Sequence, residues 1–176
     1  MDPMPPATRS AGAGARAREL FLADGGVHGC AETAFVVLKE AFGLPDPTDS
    51  GAAMAFNGGI AYSGATCGAV TGAALAVGML AAREIDDHRE AKRVARLGVA
   101  GLLGSFEGEF GASTCRELTG ADLATEAGHR AFIEAGAWRI GCMRQIEAVV
   151  ERLAALAEPG ALAEPGVPDA SARGSG

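Results

Sequence analysis

Residues 57–80 read NGGIAYSGATCGAVTGAALAVGML, and this stretch decides the fold of the chain. It has no charged residue, is rich in Gly and Ala, and carries one cysteine, Cys67, near its middle. From Thr66 onward the run has the length and apolar character of a buried helix that begins at this cysteine. The Gly-rich segment 57–64 before it is a loop that can wrap closely around a bound group. A thiol at the start of a buried helix, under such a loop, indicates sulfur chemistry or metal binding.

Most of the remaining chain also has a helical pattern. Apolar residues recur at spacings of three and four, and no run alternates with period two, so the sequence predicts an all-α bundle of about five to seven helices. The predicted helices cover 15–23, 30–42, a short segment ending at 56, 66–83, 86 or 87 to about 106, 115–118, and 129 or 136 to about 157. The buried stripe predicted for the last helix is Ile140, Met143, Ile146, Val150 and Leu153.

The composition divides the chain into one domain with two irregular ends. A length of 176 residues is typical of a single domain. Residues 1–13 are rich in Pro, Ala and Gly, which predicts a disordered segment. Residues 158–176 include the end of a tandem ALAEPG repeat and read as a low-complexity tail. The four-cysteine helical domain is therefore expected at 14–157.

Several functional classes are excluded by the same composition. The net charge of −7 argues against nucleic-acid binding, for which Lys and Arg must neutralise phosphates. The apolar run 67–82 is shorter than the roughly 20 residues that span a bilayer, so a buried helix is expected and no membrane segment. The N-terminus has no secretory signal pattern, which predicts a cytoplasmic protein. GGxxxxG at 58–64 lacks a preceding strand and a following Lys, so no nucleotide site is expected.

Gly68 and Gly72 form a GxxxG pair in the predicted buried helix. With no side chain at these positions, another helix can cross at a short distance. We expect that neighbour to come from the same chain. A homodimer contact is the alternative.

The four cysteines are Cys30, Cys67, Cys115 and Cys142. The first three are each predicted as the first residue of a helix, after Gly29, Thr66 and Thr114 respectively, whereas Cys142 is expected inside the last long helix. Free backbone N–H groups and the helix dipole favour a negative charge at a helix start, which predicts lowered thiol pKa values and easier thiolate formation. The alternative for each is a small buried hydrophobic residue. Separations of 37, 48 and 27 residues match no CxxC metal pattern.

Four motifs in order carry a family resemblance: GCAE at 29–32, GGxxxxGxTCGAVTGA at 58–73, CRELTG at 115–120 and the lone Cys142. Over about residues 14–157 the chain resembles the redox-active family named for its C, GCAxxG, C and C pattern, although it reads CGAVTG at 67–72. The resemblance implies a helical domain whose four cysteines act together in redox chemistry or metal binding. A related domain occurs in split-Soret cytochromes, where an iron–sulfur type centre is associated with such cysteines. Their CxxCH motif is absent here, so no c-type haem is expected.

Other polar residues are weaker candidates. Tyr62, Ser63 and Gly64 of the Gly-rich loop are predicted to bind the cofactor or substrate, with the alternative that loops need polar residues anyway. His28 is a candidate ligand or base, or a turn residue. His129 is expected at a helix start, and Trp138 in the core or at an interface.

Three functions follow from this pattern. The first is an iron–sulfur protein with Cys30, Cys67, Cys115 and Cys142 as ligands, for electron transfer or a cluster-dependent reaction. The second is a thiol–disulfide oxidoreductase or redox sensor without metal. The third is a structural zinc protein or a small-ligand-binding protein. A redox partner protein or a small-molecule substrate is implied, and no acid–base group is legible that would decide whether the chain is an enzyme.

Overall fold

The computed structural model describes residues 12–23, 27–158 and 160–162, and within these ranges the chain is all-α, which confirms the predicted fold class. The α-helices there are α1 (Ala13–Leu22), α2 (Cys30–Phe42), α3 (Gly68–Glu84), α4 (His88–Phe110), α5 (Cys115–Thr119), α6 (Glu126–Ala135) and α7 (Gly141–Ala154). Short 3-10 helices cover Gly51–Phe56, Ala137–Arg139 and Ala155–Ala157.

Helices α2 and α3 form the centre of the bundle. α2 packs on α1, α3 and α7, and α3 packs also on α4 and α7. Gly72 of α3 lies so close to α2 that a Cβ there would be 2.1 Å from the carbonyl oxygen of Ala31. The predicted close packing within the chain is confirmed, because the Gly68–Gly72 face is covered by α2. The homodimer stays a prediction.

The helix ends near the site follow local capping signals. Gly43 takes the left-handed conformation (φ 62°) that ends α2, as its sequence position predicts. Asp87 caps α4 by accepting a hydrogen bond from the N–H of Glu90 at 2.8 Å. Thr114 caps α5 by accepting one from the N–H of Glu117 at 3.2 Å.

Helix α4 is longer than predicted. The sequence predicts an irregular segment, SFEGEFGA, around and after Phe106, but the helix continues to Phe110. Its glycines Gly104 and Gly108 would have no atom within 4 Å of an added Cβ, so the helix simply tolerates them. It ends at Gly111, which has a φ of 78°.

The predicted last long helix is two helices. Gly136, with a φ of 67°, ends α6, and a 3-10 turn leads into α7. Met143, Ile146, Val150 and Leu153 are buried in the core as predicted. Ile140 is 71 % exposed, and its assignment to the buried stripe is wrong because the chain turns before α7 begins.

The two ends of the chain are described only in part. Residues 1–11 lie outside the described ranges, and α1 already begins at Ala13. Of the predicted tail, residues 158 and 160–162 are described, and Leu162 packs against the core. None of the helices described has both the length and the apolar character needed to cross a membrane.

Candidate functional site

All four cysteines lie in the first turn of a helix or at its cap. Cys30 and Cys115 are the first residues of α2 and α5, as predicted. Helix α3 begins one residue later than predicted, so Cys67 is its cap. Cys142 is the second residue of α7. The sequence does not predict this fourth helix start, because it begins the last long helix earlier, at His129 or Gly136, and places Cys142 inside it.

The loops that carry Cys67 and Cys115 are bound to each other through the backbone. The N–H of Cys67 donates to the carbonyl of Ser113 at 2.8 Å, and the N–H of Cys115 donates to that of Ala65 at 2.7 Å. Between these two bonds lies the antiparallel bridge of Thr66 and Thr114, the one β-type pairing in the described ranges. Two cysteines that are far apart in sequence are therefore held side by side without a sheet.

Cys30 reaches the same region from α2. A Cβ on Gly68 would lie 2.3 Å from its Sγ, so the start of α3 can approach this sulfur only because residue 68 is glycine. The thiol of Cys30 lies 4.0 Å from Oδ1 of Asn57, to which it can donate.

Helix α7 completes the group. The thiol of Cys67 lies 3.8 Å from Oε1 of Gln145, which is buried and follows Cys142 by one helical turn. Neither Asn57 nor Gln145 is predicted as a site residue, because nothing local in the sequence places either amide beside a thiol.

All four cysteines are free thiols; Cys67 and Cys115 are buried, and Cys30 and Cys142 are partly buried. Burial is the larger cause of the raised pKa of Cys67, Cys115 and Cys142, and the negative charge of a Cys30 thiolate would add to it at all three. In the described part of the chain, no three His, Cys, Asp or Glu side chains are grouped closely enough to hold a metal ion.

Burial raises the pKa of every one of these thiols. The pKa of Cys115 is raised to about 11 and that of Cys142 to about 12. At Cys30, backbone N–H groups that include those of Gly58 and Gly68 oppose the rise, but the loss of hydration is larger. The prediction of lowered thiol pKa values is therefore wrong, because it counted the helix starts and could not count the burial.

The raised pKa of Cys142 predicts slow alkylation of the folded, metal-free protein. A thiol attacks iodoacetamide as its thiolate. In the unfolded chain the thiol of Cys142 has its ordinary pKa of 9.0, so the thiolate forms at a lower pH than in the folded protein. Between pH 8 and 9 we expect Cys142 to react at least about tenfold more slowly in the folded than in the urea-unfolded protein. Its folded rate should keep rising with pH towards about 12. Mass spectrometry of the labelled peptide measures both rates, and equal rates would contradict the burial.

The Gly-rich loop before Cys67 is a left-handed turn. Gly58 and Gly59 have positive φ angles, and so do the three residues that follow, Ile60 (61°), Ala61 (50°) and Tyr62 (60°). For a residue that carries a side chain, this left-handed backbone conformation costs roughly 1–2 kcal/mol. Backbone strain of this kind collects at functional sites, where surrounding structure maintains it.

The three loop residues predicted to bind a cofactor have different surroundings. Tyr62 lines a cavity with Cys30 and packs edge-on against His129, with ring centroids 4.9 Å apart. The hydroxyl of Ser63 donates to the carbonyl of Gly59 at 2.6 Å and so holds the turn. Gly64, with a φ of 82°, lies against Arg116, whose N–H donates to the Gly64 carbonyl at 3.0 Å. Of the three, only Tyr62 is placed to contact a ligand in that cavity.

The cavity beside Tyr62 has a volume of about 180 Å³, and we refer to it as the aromatic cavity. Four aromatic residues and two cysteines define it: Phe21, Tyr62, Phe132, Trp138, Cys30 and Cys142. His28 and His129 also lie in its wall, so both histidines that the sequence placed near helix starts are near the thiols. A second cavity of about 100 Å³ adjoins it and shares Phe132, Trp138 and Cys142.

A buried polar cluster lies beside Cys30. Glu32, only 7 % exposed, accepts hydrogen bonds from Ser50 Oγ (2.9 Å), Asn57 Nδ2 (2.8 Å) and the N–H of Gly29 (3.0 Å). The other amide atom of Asn57, Oδ1, accepts from the N–H of Ala31 at 3.0 Å. The Gly29–Glu32 contact completes the predicted cap of α2, and the cluster fixes the loop before Gly58 to the helix that carries Cys30.

Comparison with known proteins gives one match. The model of a family described as "Putative redox-active protein (C_GCAxxG_C_C)" matches residues 28–156, a range that contains all four cysteines. No curated protein and no solved structure matches the chain.

Proposed function

The chain belongs to the C_GCAxxG_C_C family of redox-active proteins, and from this premise we propose that it binds an iron–sulfur cluster through Cys30, Cys67, Cys115 and Cys142. The cluster would serve electron transfer or a cluster-dependent reaction with a redox partner protein or a small-molecule substrate in the cytoplasm. One observation carries the proposal: the four cysteines lie at four separate helix starts, of which those of Cys67 and Cys115 are joined through the backbone and that of α3 packs against the sulfur of Cys30.

The chemistry of these residues fits such a group. Cysteine thiolates are the usual ligands of iron–sulfur clusters, and backbone N–H donors near the sulfurs tune the reduction potential. Here Gly58 and Gly68 supply such N–H groups at Cys30, and Ala69 supplies one at Cys67. No basic side chain in the described ranges is among the main groups that shift the pKa values of the four thiols, so none of them offsets the negative charge of a thiolate. Iron would supply the positive charge that buried thiolates need, and the cluster would accept and release single electrons.

The test is anaerobic purification followed by iron and acid-labile sulfide analysis. We expect a coloured protein that contains both, and loss of both in Cys67→Ser and Cys115→Ser. Ser113→Ala is the control, because Ser113 lies two residues before Cys115 and its hydroxyl bonds to the exposed side chain of Glu107. A colourless, iron-free product even after cluster reconstitution would exclude the proposal, and zinc in place of iron would favour a structural metal site.

A second candidate is a metal-free thiol–disulfide protein. Two observations favour it. In the described residues no three potential metal ligands are grouped closely enough to hold a metal ion, and Cys30 and Cys142 lie in the wall of one cavity. Formation of a disulfide would remove two protons and two electrons from a pair of thiols, with an external disulfide as the oxidant. Thiol counts before and after glutathione disulfide treatment distinguish the candidates: a loss of two thiols supports this one, and four unchanged thiols in iron-free protein exclude it.

A further inference from the structure

The aromatic cavity gathers aromatic residues that are scarce in this chain. Only 5 % of the residues are aromatic, yet the wall includes the single Tyr, the single Trp and two of the seven Phe residues. Tyr62 reaches it from the left-handed turn, Phe21 from α1, Phe132 from α6, and Trp138 from the 3-10 turn before α7. Four separate segments thus converge on one small space, which is the composition expected of a ligand site.

The size and charge of this cavity limit what it can hold. A dry cavity of about 150 Å³ is known to accommodate benzene, and this one measures about 180 Å³. Among the described residues that line it, none is Lys, Arg, Asp or Glu. The imidazoles of His28 and His129 are the only groups in this described lining that could offer a positive counter-charge, so with both imidazoles neutral the space suits an uncharged molecule the size of one aromatic ring with a short substituent.

One polar group in the wall lacks a partner. The indole N–H of Trp138 is buried and, in the part of the chain described, donates to no acceptor. Trp138 lines both the aromatic cavity and the second cavity. Buried donors of this kind normally have a partner. Neighbouring atoms shield this nitrogen, so an acceptor in either space reaches it only after the indole ring turns toward that space.

The polar side chain of Asn57 is not available for the same role. Its Oδ1 accepts from Ala31 and its Nδ2 donates to Glu32 and to the carbonyl of Met54. The buried group without a partner in this wall is therefore the N–H donor of Trp138. A carbonyl oxygen is the simplest uncharged group that accepts a hydrogen bond from it.

We propose that the aromatic cavity binds a small uncharged aromatic compound with a carbonyl oxygen, and that the bound compound lies against Cys30 and Cys142. The inference rests on the proposed function in one respect, because it takes the region of the four cysteines as the redox site at which this ligand binds. Binding itself requires no redox step. The carbonyl accepts from Trp138, and the ring packs against Phe21, Tyr62 and Phe132 in the offset or edge-on geometries that aromatic pairs prefer.

Three probes of matched shape test the ligand class on the full chain as purified, by calorimetry and saturation-transfer NMR. Acetophenone carries the carbonyl, ethylbenzene replaces it with a methylene group, and benzoate adds a charge. We expect acetophenone to bind about tenfold more tightly than ethylbenzene, and benzoate to show no measurable binding. In Trp138→Phe, which keeps a ring but removes the N–H, the preference for acetophenone should disappear.

A pair of variants tests the location. Ile133 lines the aromatic cavity and is 47 % exposed, so Ile133→Trp can fill the cavity without entering the core. Ile140 lines neither cavity, and Ile140→Trp is the matched control. We expect Ile133→Trp to weaken acetophenone binding at least about tenfold, and Ile140→Trp to leave it unchanged.

The inference is overturned if none of the probes binds, if acetophenone and ethylbenzene bind equally, or if the two tryptophan variants have the same effect. Iron and sulfide are measured on the same samples. Binding without iron would overturn the iron–sulfur proposal alone, and iron without binding would overturn this inference alone.

Discussion

Replacing Gly72 with alanine is expected to lower the free energy of unfolding by about 3 kcal/mol. The added Cβ would lie 2.1 Å from the carbonyl oxygen and 2.8 Å from the carbonyl carbon of Ala31. Both are backbone atoms of α2, so the clash cannot be relieved by rotating a side chain, and α2 must move away from α3. Urea unfolding followed by far-UV circular dichroism measures the change.

Gly78→Ala is the matched control in the same helix. Gly78 has nothing within 4 Å of the position of a new Cβ, so alanine should stabilise the protein by about 0.5–1 kcal/mol through helix propensity. Ala31 follows Cys30 directly, so Gly72→Ala should also reduce the iron content while Gly78→Ala leaves it unchanged. Similar losses of stability in both variants would show that α3 is intolerant of alanine for some reason other than its contact with α2.

The second large effect is expected for Asn57→Ala, which should cost about 3 kcal/mol. This substitution removes the Nδ2 donor from the buried carboxylate of Glu32 and the Oδ1 acceptor from the N–H of Ala31. The carboxylate keeps its bonds from Ser50 and Gly29 but loses its third donor, and the N–H of Ala31 is left without its acceptor. Ser50→Ala removes a smaller donor from the same carboxylate and should cost about 1 kcal/mol.

A double-mutant cycle isolates the contact between Asn57 and Glu32. Because part of the penalty is the donor that the buried carboxylate loses, Asn57→Ala should cost less in a Glu32→Ala background, by about 1–2 kcal/mol. Chemical unfolding of the four proteins gives the coupling energy. Additive effects would mean that Asn57 acts through the Ala31 N–H alone.

The sequence was informative wherever a helix boundary depends on a few adjacent residues. Gly43, Asp87 and Thr114 act as the caps that their residue types favour, and the bounds of α2 were predicted to the residue. The GxxxG spacing of α3 likewise predicted a close helix crossing. These features depend on local backbone conformation or on the absence of a side chain, and both are visible in a single sequence.

The errors arose where glycine has more than one role. Gly104 and Gly108 lie within a helix, whereas Gly136 ends one, and nothing in their immediate neighbours distinguishes the two cases. The apolar pattern starts the last long helix at His129 or Gly136, with Ile140 in its buried stripe and Cys142 inside it. Cys142 does lie in α7, as its second residue, but Ile140 is exposed.

The properties of the site depended on tertiary packing. The sequence places three of the thiols at helix starts, which favour the thiolate, but burial is set by distant segments and reverses the direction of the pKa shift. The same holds for Asn57 and Gln145, which approach thiols 27 and 78 residues away in the chain. Motif order identified the four cysteines, and only the packed structure identified the amides and the cavity around them.

The backbone pairing of Thr66 with Thr114 also constrains the order in which the protein assembles. Its two hydrogen bonds join segments that are 48 residues apart at Cys67 and Cys115, and such non-local contacts form after local helices because the intervening chain must first be closed into a loop. Here that loop is the helical hairpin of α3 and α4. During synthesis, therefore, Cys30 and Cys67 have left the ribosome well before Cys115 can join them. On either of the proposed functions, the cluster or the disulfide would form only after this closure.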